Sequence, residues 1–231
     1  MSSTISMTTA SGFRNATRVQ EALTAGVERK VLLWLAERTP QWVSPDHLTG
    51  LGFAAQFLAG ASYALARWNK TGLLLATFFI ALNWLGDSLD GTLARFRQRL
   101  RPRYGFYVDH MADSFGAVFL MSGLALSRYL HWQVAAGMLV AFLVLSVESY
   151  LTSYTLGRFP MSHAFFGPTE IRILLMTGNI ALIFRPHAHL FGRQFLLFDT
   201  GGAIAIVGML SMAVVATVRH TAALYREERL P

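Results

Sequence analysis

The sequence predicts an all-α integral membrane protein, with six transmembrane helices preceded by an amphipathic helix on the membrane surface. Three observations lead to that expectation. Hydrophobic residues make up 53% of the 231 and charged residues only 14%, a balance more apolar than that of ordinary soluble domains. The apolar residues gather into runs long enough to cross a bilayer core, which takes ~20 residues of helix. The net charge of +7 is spread in short clusters between those runs. That is the pattern of juxtamembrane flanks facing anionic lipid, and it argues against nucleic acid as a partner. The chain has no cysteine, which excludes disulfides and thiolate metal sites.

Residues 1–12 are rich in Ser and Thr and lack an apolar core, so they read as a disordered tail and not a signal peptide. Between 13 and 40, Val19, Leu23, Val27, Val31 and Leu35 recur every four residues with Arg, Lys and Glu between them. This predicts a juxtamembrane amphipathic helix, ended by Pro40 and Pro45. A membrane domain over 44–220 follows, with spans at 48–68, 71–90, 106–126, 132–151, 165–184 and 201–218. Residues 221–231 are left as a cytoplasmic tail. The fifth span has the shortest apolar part, which begins at Ile173 after Gly167-Pro168. Trp34, Trp42, Trp68 and Trp132 lie near the span ends, where interfacial aromatic belts form.

Counting charges sets the orientation. With the N-terminus inside, the N-terminal segment, the loop after span two, Arg158, Arg172 and the tail hold 15 of the 20 basic residues. A three-to-one bias favours both termini in the cytoplasm, as for a cell inner membrane. The inner ends of spans two and three then carry the chain's densest group of acids.

That group reads Asp87-Ser88-Leu89-Asp90-Gly91-Thr92-Leu93-Ala94-Arg95, nine residues, Gly105, three residues, Asp109, three residues, Asp113. Asp87, Asp90, Gly91 and Ala94 share one helical face; Gly105, Asp109, Asp113 and Gly116 share another. The Arg- and Pro-containing turn between them can fold the two into an antiparallel pair. A single intramembrane Asp can serve as an interhelical hydrogen bond. Four at this spacing, beside small residues, point to hard cations such as Mg²⁺ or Mn²⁺ on all-oxygen ligands. Two such ions in one site would serve phosphoryl chemistry, and without cations the four carboxylates could not all stay ionised.

The pattern resembles the signature of the CDP-alcohol phosphotransferases, D-x2-D-G-x2-A-R, eight or nine residues, then G-x3-D-x3-D, and meets it at every fixed position. The six-span layout with a surface helix is also similar to that family. The resemblance implies an enzyme that cleaves the pyrophosphate of a CDP-linked donor, transfers the phosphate-bearing group to an alcohol and releases CMP. CDP-diacylglycerol is the first expectation for the donor. Asp87, Asp90 and Asp109 would be metal ligands. Asp113 would contact the second metal and act as general base, while Gly91, Ala94, Arg95 and Gly105 would receive the CDP moiety. A site facing the cytoplasm near the headgroup plane would admit a lipid-linked donor sideways and a polar acceptor from solution.

Val43-Ser44-Pro45-Asp46-His47-Leu48-Thr49 is similar to the family's N-P-x-x-x-T opening, which would add Asp46 and Thr49 to the CDP contacts. Here Ser44 stands where the family has Asn, and a Ser at a helix start is also an ordinary N-cap. Glu148 and Arg172 are candidates for binding the acceptor, Arg172 because a guanidinium suits a phosphate; an ion pair with Glu170 is the other reading of Arg172. Asp109-His110, with Ser114 following, resembles members that handle choline or ethanolamine, which keeps open headgroup transfer from a soluble CDP-alcohol to a lipid alcohol. A divalent-cation transporter is the rival from another class. A homodimer is a further expectation, since such bundles pair through membrane faces, although no single dimer motif stands out.

Overall fold

The computed structural model describes residues 17–19, 25–160, 168–190 and 192–228. In chain order the elements are β1 (Thr17–Val19), α1 (Ala25–Arg38), α2 (Pro45–Leu65), α3 (Thr71–Phe96), α4 (Pro102–Leu126) and α5 (Trp132–Leu156). They continue with β2 (Arg158–Pro160), α6 (Pro168–Phe184), β3 (His187–Leu190), β4 (Arg193–Leu196) and α7 (Leu197–Glu227). The expected tail at 1–12, the start of the amphipathic segment and the start of the fifth span lie outside the described residues.

Four helices are long and apolar enough to cross a membrane: α2, α3, α5 and α7. The chain is thus an all-helical membrane protein. The α4 helix carries Arg103, Asp109 and Asp113, and α6 is 17 residues long, so neither meets the same measure on its own. Helix ends differ from those expected because hydropathy marks where apolar side chains stop, whereas a helix continues until its backbone is turned aside. The α3 helix runs past Asp90 to Phe96 and breaks just before Gln98, whose φ is +53°. Pro102 at the first turn opens α4 ahead of the expected span. The α7 helix continues through His220 to Glu227, into the segment set aside as a tail.

The core follows from small residues. The α2 helix packs along α3 and crosses α4, with Ala55, Ala59, Ala76 and Ala117 buried. Helices approach closely where side chains are small. A Cβ on Gly86 would sit 2.6 Å from the amide nitrogen of Gly52 and the carbonyl of Leu48. A Cβ on Gly123 would overlap the Gly60 backbone. Beside this seam Tyr63 donates to Asn179 Oδ1 (2.8 Å), and Asn179 Nδ2 donates to Thr77 (3.1 Å), so that the fully buried Tyr63 and Asn179 tie α2 and α6 to the half-buried Thr77 of α3. Buried polar groups of this kind are costly unless paired.

The second half of the bundle pairs α5 with α7. Their N-terminal ends are joined by His131 and Asp199, 2.5 Å apart. The α6–α7 connection is an antiparallel β3–β4 hairpin, turning at Gly192 with φ +75°. The sequence reading contained no strands there. The short β1 and β2 run parallel to each other.

The α1 helix turns Leu32 and Ala36 towards α3, while Val27 and Val31 of the expected apolar stripe are exposed. Its anchor is polar: Glu28 Oε1 accepts from Trp84 Nε1 (3.0 Å), Ser88 Oγ (3.2 Å) and Thr169 Oγ1 (2.8 Å). One carboxylate thus links α1 to α3 and α6.

Candidate active site

The site lies where the first turns of α2, the C-terminal part of α3 and the N-terminal parts of α4 and α6 meet. Ser44 caps α2, accepting from the His47 amide while His47 Nδ1 accepts from the Ser44 amide. The N-cap reading of this segment is therefore what its hydrogen bonds show. The cap aims the first turn of α2 across α3, and Thr49 donates to Asp90 Oδ2 at 2.5 Å. Asp90 Oδ1 also faces the Gly91 amide.

Asp87 on α3 and Asp109 and Asp113 on α4 converge, with one carboxylate oxygen from each lying within 4.8 Å of the others. Asp90 is not part of that triplet and is turned to Thr49. An all-oxygen set of three acids at this separation matches what hard divalent cations require, and does not suit zinc or copper. The charge is partly balanced from α6: Arg172 Nη2 donates to Asp87 Oδ2 at 2.6 Å, with both side chains largely buried. Arg172 thus stands beside the carboxylates and pairs with an acid 85 positions away, a partner that local sequence could not name.

The signature's small residues occupy different surroundings. A Cβ on Gly105 would meet nothing within 4 Å, and one on Gly91 only the Arg95 guanidinium at 3.6 Å. Arg95 is exposed and donates to Thr92 (3.2 Å). Together with the half-buried Ala94 this leaves the face open to a ligand. A cleft of about 350 Å³ lies between α2 and α4, lined by Asp46, Thr49, Tyr104 and Tyr107 together with Phe53 and Phe115. Arg101 closes on Asp46 and stacks over the Tyr104 ring at 4.3 Å. That contact raises the Arg101 pKa, chiefly through its hydrogen bond to Asp46.

Glu148 is directed elsewhere. It lies on α5, 9% exposed, with Oε1 2.5 Å from His220 Nδ1 on α7 and accepting from Thr152 (2.9 Å). The structure therefore gives Glu148 an α5–α7 contact in place of the expected acceptor contact. His110 Nδ1 donates to the Phe106 carbonyl (2.7 Å) and lies 3.7 Å from Asp109 Oδ2, and the ring stacks on Phe106 and meets Tyr150 edge-on.

Two polar side chains missing from the sequence reading line the carboxylate cavity, Gln56 and Asn83. Helical arithmetic had the signal, since Thr49, Gly52 and Gln56 are spaced 3 and 4 apart on one face.

A family model described as CDP-alcohol phosphatidyltransferase matches residues 42–222. The archaetidylinositol phosphate synthase of Pyrococcus horikoshii is 30% identical over 142 residues, 62% of this chain and 68% of that protein. An uncharacterized protein of Aquifex aeolicus is 35% identical over 117 residues, 50% of this chain and 55% of that protein. The chain thus spans about half to two thirds of the length of these relatives. Among solved structures, the fold resembles that of Mycobacterium tuberculosis phosphatidylinositol phosphate synthase (PgsA1). With CDP-DAG bound that structure gives a TM-score of 0.53 at 18% identity, covering 88% of this chain and 94% of the other. In complex with manganese and citrate it gives 0.54 at 18% identity, covering 88% and 89%.

Proposed function

This chain belongs to the CDP-alcohol phosphatidyltransferase family, and from that premise we propose that it transfers a substituted phosphate from a CDP-linked lipid to an alcohol, releasing CMP. The observation that carries the reading is the convergence of Asp87, Asp109 and Asp113 from two neighbouring helices. Family membership speaks against the transporter alternative. The relatives' names concern inositol-phosphate lipids, which favours CDP-diacylglycerol or a similar lipid donor over headgroup transfer to a lipid alcohol.

Asp87, Asp90 and Asp109 would hold two Mg²⁺ or Mn²⁺ ions, with Asp113 completing the set. Such ions, when bound, neutralise the pyrophosphate and stabilise the departing CMP. Asp113 takes the acceptor's hydroxyl proton; an ionised Asp is a weak base, so alignment matters more than basicity. Gly91, Ala94, Arg95 and Gly105 border the space for the nucleotide, with Asp46 and Thr49 at its edge. Arg172, placed beside Asp87, has a planar guanidinium that would bind a phosphate in bidentate fashion when Asp87 serves as a metal ligand. The acceptor is therefore a phosphorylated polyol, of the inositol-phosphate type. Glu148 has no part in this reading.

The membrane placement follows the charge count. Six helices, α2 to α7, cross the bilayer, with both termini and the carboxylates on the cytoplasmic side of a cell inner membrane. The α1 helix lies on that surface, with Val27 and Val31 towards lipid. Lipid-facing contact between two copies would give a homodimer.

The test is CMP release from CDP-diacylglycerol by the purified protein in liposomes, with Mn²⁺ or Mg²⁺ and a panel of free and phosphorylated polyols. Products are read by mass. A metal-dependent phosphatidyl-polyol phosphate is expected, and absence of CMP with every acceptor and both metals overturns the reading. In the same assay Arg95→Ala weakens binding of the CDP donor more than binding of Mn²⁺.

A further inference from the structure

Three of the four motif acids already accept or face a partner. Asp87 holds Arg172, Asp90 holds Thr49, and Asp109 lies 3.7 Å from the His110 ring nitrogen. Asp113 accepts no hydrogen bond among the described residues. In the same cavity lies an unspent donor. Asn83 Nδ2 donates both to the Gly52 carbonyl (3.0 Å) and to Gln56 Oε1 (3.2 Å). This fixes the carboxamide of Gln56 with its oxygen occupied, and its Nε2 donates to no acceptor among the described residues.

The sequence makes room for that carboxamide. A Cβ on Gly116 would overlap Gln56, reaching 2.8 Å from Nε2. Gly116 lies one turn beyond Asp113 on the same face of α4, so the space beside the presumed base is filled by a side chain from α2. The cavity they share, also lined by Asp87 and Asp109, measures about 10 Å³, close to the minimum for a single water.

We propose that Gln56 is a positioning residue for Asp113: locked by Asn83 and housed by Gly116, it donates from Nε2 through one water to a carboxylate oxygen of Asp113, and so turns the other oxygen towards the cations and the acceptor. The inference rests on the reading of Asp113 as base and cation ligand. An outer partner that orients a ligating carboxylate is worth about 10–100-fold in metal affinity or activity.

Gln56→Met keeps the volume and removes the donor. Its expected behaviour is an unchanged melting temperature and donor KM, with kcat and Mn²⁺ affinity each lowered about 10-fold or more. Mn²⁺ affinity is read on the substrate-free protein by electron paramagnetic resonance. The double variant Gln56→Ala/Gly116→Ala refills part of the space without restoring a donor. Recovery of kcat and Mn²⁺ affinity in that variant, or wild-type values for both in Gln56→Met, overturns the proposal. Recovery of melting temperature alone supports it. If the wild type releases no CMP, the parent reading fails, while the Mn²⁺ titrations still decide whether Gln56 orients the cluster.

Discussion

Where α2 meets α3 and α4, the atoms that a glycine makes room for belong to the backbone, save at Gly116, which faces the Gln56 carboxamide. Where α5 meets α7, they are the ends of side chains. Gly86 faces the Gly52 amide and the Leu48 carbonyl, and Gly123 faces the Gly60 carbonyl. Gly202 instead faces Val134 Cγ1 at 2.6 Å and Met138 Sδ at 2.9 Å, and Gly137 faces Ile206 Cδ1 at 2.8 Å. A side-chain end can rotate away at small cost, but a backbone in a neighbouring helix moves only with the whole helix. The first seam is fixed to within tenths of an ångström and the second can adjust. Asp87 and Asp113 are placed by the first. Burial agrees: 39% of the apolar windows of α2 and α3 is buried, against 22% for α5 and 11% for α7.

The sharpest test of the contrast is chemical. Asp113→Asn keeps the shape of the fixed seam and removes the base, so kcat should fall by about 10²–10⁴-fold while equilibrium dialysis still detects CDP binding. Full turnover in this variant removes the assigned role. Arg172→Ala is expected to raise KM for a phosphorylated acceptor about 10-fold or more, from the loss of a bidentate contact worth ~1.5–3 kcal/mol. An unphosphorylated alcohol should show little change, and equal effects on both would detach Arg172 from the phosphate.

Two glycine substitutions then compare the seams directly. Gly86→Ala pushes α2 from α3 beside Asp87, at a cost of about 1–3 kcal/mol, and should lower melting temperature and kcat together. Gly202→Ala, against movable side-chain ends, should stay within about 0.5–1 kcal/mol of the parent and leave kcat unchanged. Equal losses in the two variants would show that the halves do not differ in rigidity.

Much of this arrangement was legible in the chain. Offsets of 3 and 4 put Asp87 and Asp90 on one face and Asp109 and Asp113 on another, and Pro102 with its Arg neighbours marked the turn that folds them together. That logic holds within a helix and across a tight turn. It does not reach partners set by packing between distant segments, which is why Arg172 on Asp87, Glu28 under Trp84 and Glu148 against His220 were not foreseen. Asp90 shows the same limit within the motif, since spacing alone could not name Thr49 of α2 as the donor to its carboxylate. The β3–β4 hairpin was missed because its strands are only four residues each, too short for the alternation of His187-Ala188-His189-Leu190 to stand out, and Gly192 alone marks the turn.

The contact between Arg172 and Asp87 bears on how such a protein is made. Freshly inserted helices carrying bare carboxylates would repel one another in a medium of low dielectric. A guanidinium already in place supplies an internal counter-ion, so the segments can gather and stay together in the bilayer before any metal has been captured. Assembly is thereby separated from ion supply, and a metal-starved cell would hold intact, dormant protein ready to be charged.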